Sequence, residues 1–81
     1  MKESIQQQFG QQVRTLRSRN ELTQEKLAQQ SGVSLKYIQR IEGKKPPNTG
    51  LETSQKLARG FGIPLWELFR FEKKPLKNKN Q

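Results

Sequence analysis

Residues 23–43, TQEKLAQQSGVSLKYIQRIEG, constrain the fold of this chain more than any other stretch. Thr23 and Ser34 are both good helix N-caps, because a side-chain oxygen there accepts a hydrogen bond from an unpaired backbone N–H of the first turn. Each is preceded by an apolar residue, Leu22 or Val33, and followed by another at the fourth helical position, Leu27 or Ile38. This arrangement is a hydrophobic staple, which fixes the angle at which the chain enters a helix. Gly32 lies between the two and takes positive φ at little cost, so it can end the first helix abruptly. The stretch therefore predicts two short helices, about 24–31 and 35–42, with Gly43 stopping the second. Ile38 and Ile41 are three apart and share one face of that second helix, while Leu35, Lys36, Gln39 and Arg40 share the other. Ala28 is small where two helices would cross closely.

The flanking chain also reads as helix. Ile5, Phe9, Val13 and Leu16 recur at four, four and three, which predicts one apolar stripe on a helix over about 5–19. Arg14, Arg17 and Arg19 fall toward its C-terminal end, where cations complement the macrodipole. Asn20-Glu21 makes the connection. Pro46 and Pro47 hold Lys44–Asn48 as an extended loop. Thr49-Gly50-Leu51-Glu52 has the T-x-x-E form of a capping box and opens a fourth helix, with Leu51, Leu57, Ala58 and Phe61 on its buried face. Gly60 inside that helix costs about 1 kcal/mol relative to Ala, which a close helix contact would justify. Gly62 ends it, and Pro64 starts a short fifth helix carrying Leu65, Trp66, Leu68 and Phe69. No alternating run predicts a strand. Residues 1–8 read as an N-terminal arm or the start of the first helix, 9–70 as the folded domain, and 71–81 as a basic flexible tail.

Composition bounds the function. Eighty-one residues allow one small domain, and 30% hydrophobic content gives it a thin core. Sixteen Lys and Arg against 7 Asp and Glu leave a formal charge of +9, which favours an anionic partner, nucleic acid above all, over a merely solubilising surface. The chain has no Cys and no His. Disulfides, thiol nucleophiles, common zinc sites and histidine bases are thereby excluded. No carboxylates pair on one face, and Gly60-Phe61-Gly62 lacks the strand and glycine spacing of a phosphate loop. The expectation is a non-enzyme without metal or cofactor. No apolar run approaches the ~20 residues that span a bilayer, and the N-terminus lacks a signal peptide's apolar block, so a cytoplasmic location with no membrane partner is expected.

The spacing across residues 23–43 is that of a helix-turn-helix, whose second helix enters the DNA major groove. Val13-Arg14-Thr15-Leu16-Arg17, Leu22 to Ala28, Ser31 to Ser34, Tyr37-Ile38, Arg40 to Gly43, Leu57-Ala58, Gly62-Ile63 and Leu65 occur in the order of a known pattern. Over about 9–70 the chain resembles the lambda-repressor-like, or Cro/CI, helix-turn-helix family. The resemblance implies an all-α, compact five-helix domain that binds a double-stranded DNA operator, usually as a homodimer, with the third helix in the major groove. Repressors, restriction-modification controllers and antitoxins share that fold, so a toxin or another protein partner is the alternative to transcriptional regulation. Pro64, where a polar cap is usual, and Pro46-Pro47 depart from the pattern.

Candidate residues follow. Arg40 suits guanine, whose O6 and N7 a guanidinium fork holds together, the alternative being a phosphate contact or a solvated charge. Lys36 reaches guanine or phosphate. Gln39 reads adenine or faces outward, and Leu35 meets a thymine methyl or is simply exposed. Thr23, Gln24, Ser34, Tyr37, Lys44, Lys45 and Asn48 are the phosphate candidates; free N–H groups at a helix N-terminus assist Gln24, and the resemblance gives a matching Gln that role. For Thr23 capping alone suffices. The resemblance also implies a structural ion pair between Arg17 and Glu42. Trp66, Phe69 and Phe71 exceed what one short helix hides and form either a dimer interface or core, with Phe71, beyond the packed helix, the foremost interface candidate. Lys73, Lys74, Lys77 and Lys79 are solvated tail or add nonspecific phosphate attraction.

Overall fold

The computed structural model describes residues 3–71. It contains five helices and, among the described residues, no strand: α1 (Ile5–Arg19), α2 (Gln24–Ser31), α3 (Leu35–Ile41), α4 (Leu51–Phe61) and α5 (Leu65–Leu68). Ser4 opens α1 with a full capping box, its Oγ accepting from Gln7 N at 3.1 Å while Gln7 Oε1 accepts from Ser4 N at 3.0 Å. Ser4 and Gln7 stand at the S-x-x-Q spacing that signals such a box. Thr23 and Ser34 cap α2 and α3 by accepting from Lys26 N and Tyr37 N. Gly32, at φ 79°, turns the chain between them.

One core collects Phe9, Val13 and Leu16 of α1, Leu27, Val33, Ile38, Ile41, then Leu57, Ala58 and Phe61 of α4, and Leu68. α2 lies against α3 and α4, α1 against α3, and α4 against α5. Gly60 stands at the α2–α4 contact, where an added Cβ would come within 2.7 Å of Ser31 Cβ and 3.0 Å of Ser31 Cα. The close helix approach expected from this glycine is therefore present.

Four expectations need correction. Ile5 is 62% exposed, because the apolar stripe of α1 enters the core only at Phe9, one turn later. Leu51 is 74% exposed, and Ser54 holds the buried position in its place. Ser54 satisfies its hydroxyl by donating to Gly50 O at 2.8 Å. The Thr49 capping box does not form: Gly50 is the N-cap, without a side-chain bond, and Thr49 Oγ1 is buried with no partner among the described residues. A start one residue later puts Glu52 at the second helical position, where its carboxylate suits the macrodipole but no longer completes the box. Finally, Phe71 lies past the end of α5, as expected, yet it packs on the core rather than standing free of it. It lies edge-on to Phe9 with ring centroids 6.4 Å apart and is partly buried against the core. The expected basic tail with Lys73, Lys74, Lys77 and Lys79 lies outside the described residues.

Candidate nucleic-acid interface

The two faces of α3 differ completely. Ile38 and Ile41 are 0% and 1% exposed and anchor the helix. Lys36, Gln39 and Arg40 are exposed on the opposite side, and Leu35 is half-buried at their edge. The Arg40 guanidinium carbon lies 5.8 Å from the centroid of the Tyr37 ring, within range of a cation–π interaction. Tyr37 is half-buried and packs on the core, so it gives the Arg40 head a fixed surface to rest on. The arrangement presents donors from a helix that has little freedom to tilt.

The C-terminal end of α3 is tied down by charge. The Glu42 side chain is 2% exposed. Its Oε2 accepts from Arg17 Nε at 2.9 Å, and its Oε1 accepts from Arg17 Nη2 at 2.9 Å and from Gln24 Nε2 at 3.0 Å. Arg17 Nη1 donates to Leu22 O at 2.9 Å. One guanidinium thus joins the end of α1, the approach to α2 and the end of α3. Such a parallel two-bond fork is the strong form of an arginine–carboxylate pair. The hydrogen bonds to Glu42 push the Arg17 pKa above its ordinary value, against the opposing effect of burial. Arg14 adds a second cation, its Nε 3.6 Å from Glu42 Oε1 and its Nη2 donating to Glu42 O at 3.0 Å.

A family model described as a helix-turn-helix domain matches residues 8–68, from the first half of α1 to the last residue of α5. The chain belongs to this family. No curated protein and no solved structure matches it.

In this helix-turn-helix domain the remaining candidates are dispersed. Thr23 and Ser34 use their oxygens as caps, which leaves each hydroxyl proton free to donate outward. Gln24 stands at the N-terminus of α2, and one of its amide N–H groups is committed to Glu42. Lys44 and Lys45 are exposed just after α3. Asn48 Oδ1 accepts from Gln6 Nε2, which ties this end of the loop to the first turn of α1. Trp66 is 63% exposed and Phe69, tilted against Phe9 at 5.7 Å, is 40% exposed. The sequence gives Arg14 only a place near the C-terminal end of α1 and gives Gly10 no role, although both share one side of α1 with Arg17 at i, i+4 and i+7, a spacing that signals a common partner. Among the described residues no helix is long and apolar enough to cross a membrane, and no three acidic side chains gather as metal ligands do.

Proposed function

We propose that this domain is a sequence-specific, double-stranded DNA-binding transcriptional regulator of the lambda-repressor-like, Cro/CI type, acting as a repressor. The observation that carries the reading is the division of α3, with Ile38 and Ile41 locked in the core and Lys36, Gln39 and Arg40 facing out, in a chain of charge +9. In the major groove Arg40 takes guanine O6 and N7, Gln39 and Lys36 read neighbouring bases, and Leu35 meets a thymine methyl. Thr23, Gln24, Ser34, Tyr37, Lys44, Lys45 and Asn48 contact the phosphates that set the register. Gln24 is bifunctional, with one amide N–H on Glu42 and the other available to a phosphate at the N-terminus of α2.

The domain works as a homodimer on inverted half-sites about one helical turn, ~34 Å, apart. Trp66 and Phe69 supply the dimer contact, a reading supported by their exposure of 63% and 40% at the C-terminal end of the domain. Selection of a random duplex pool, followed by titration of the enriched sequence at several salt concentrations, tests the proposal. An inverted repeat should emerge, with affinity falling steeply as salt rises. An unenriched pool and salt-independent binding would refute it. The exposed Trp66 also favours a second reading, an antitoxin or similar protein-binding module. Trp66→Ser should then abolish capture of a host protein while leaving the self-association state unchanged; in the dimer reading the same substitution yields monomer.

A further inference from the structure

The first helix carries a glycine that no turn requires. Gly10 lies in the interior of α1, is buried, and faces the last turn of α3. A Cβ at this position would overlap the Ile41 carbonyl oxygen and stand 3.2 Å from its carbon. Both are backbone atoms, so no side-chain rotation can relieve the overlap. One turn further along the same side of α1, Arg14 donates to the Glu42 carbonyl at 3.0 Å, on the next peptide of the same chain segment. Gly10 sets how deeply the end of α3 sinks onto α1, and Arg14 closes over it.

We propose that Gly10 and Arg14 are positioning residues for the outward face of α3. They touch no DNA; they determine the height and pitch at which Lys36, Gln39 and Arg40 are offered. The proposal rests on the DNA-reading function for its consequence, but the seat itself is testable in the free protein. A ridge at position 10 lifts the α3 C-terminus away from α1. Loss of the Arg14 guanidinium frees the Glu42 peptide while leaving Arg17 on the carboxylate.

Gly10→Ala and Arg14→Met separate these outcomes. Alanine is the better helix former, so a position that mattered only to α1 would gain thermal stability on this change. The expected result is a lower melting midpoint for Gly10→Ala, with amide shifts in a 15N–1H spectrum concentrated at Ile38–Gly43. Arg14→Met should remain folded, with shifts confined to Glu42 and Gly43. Both should lose several-fold in preference for the selected duplex over a scrambled one, with nonspecific binding by Gly10→Ala unchanged. Gly10→Ala melting above wild type with α3 amides unmoved overturns the seat. If Gly10→Ala does not fold, Arg14→Met decides, and wild-type spectra with wild-type preference would overturn the proposal. A wild-type protein that prefers no duplex would refute the DNA reading instead, with the amide shifts still judging the seat.

Discussion

At the scale of single residues, the Arg17–Glu42 pair has the largest consequence. Glu42 is almost wholly withdrawn from water, so its carboxylate depends on the donors around it. Removing one partner of a buried pair leaves an uncompensated charge, which costs about 3–5 kcal/mol. Arg17→Met should therefore lower unfolding stability by about 3 kcal/mol, since Gln24 and Arg14 still reach Glu42, as measured by urea denaturation. Arg17→Met with Glu42→Leu should recover most of that loss. The arginine side adds no pH switch. Its folded pKa lies above the ordinary arginine value, so its contribution is complete at every pH below that value and fades only as pH climbs past it. No local pattern links positions 17 and 42, which are 25 residues apart. Only the family resemblance pairs them, and it gives neither the contact of Arg14 with Glu42 nor the inward bond of Gln24.

At the scale of elements, legibility followed the range of the interactions. The starts of α2 and α3 could be read because a cap and its staple lie within five residues of each other. The start of α4 was misplaced by one residue: T-x-x-E offered Thr49 as the cap, but Gly50 takes that position, with Ser54 bonded back to its carbonyl. The end of α1 falls at Arg19, as its apolar stripe predicted, but the form of the turn that follows carried no local signal. Glu21 sits at φ 55°, in the left-handed region, with Glu21 N bonded to Ser18 O at 3.0 Å and Leu22 N to Arg17 O at 2.9 Å. This is a Schellman ending with glutamate where glycine is usual. A non-glycine residue there costs about 1–2 kcal/mol, partly offset by the greater freedom glycine has when unfolded. Glu21→Gly should stabilise the fold by about 0.5–1 kcal/mol, seen as a rise of several degrees in thermal midpoint. A fall would show that the glutamate contributes through its charge.

At the scale of the whole molecule, the five helices of the described residues share one small core, in which Ile38 and Ile41 anchor α3. The apolar pattern predicted the all-α class and most of the core. It failed at Ile5 and Leu51, both at the first residue of a helix, where periodicity continues past the edge of the body that buries it. The polar face of α3 was legible for the complementary reason: two isoleucines three apart leave the other side nowhere to go but outward. The proposed function requires that face to meet DNA. Titration of 15N-labelled protein with the selected duplex, followed by amide and side-chain shifts, tests this most directly. The largest changes should fall on residues 35–40 and the N-terminus of α2, and Arg40→Ala should weaken discrimination by about 1–3 kcal/mol. Changes centred on Trp66 and Phe69, with α3 undisturbed, would contradict it.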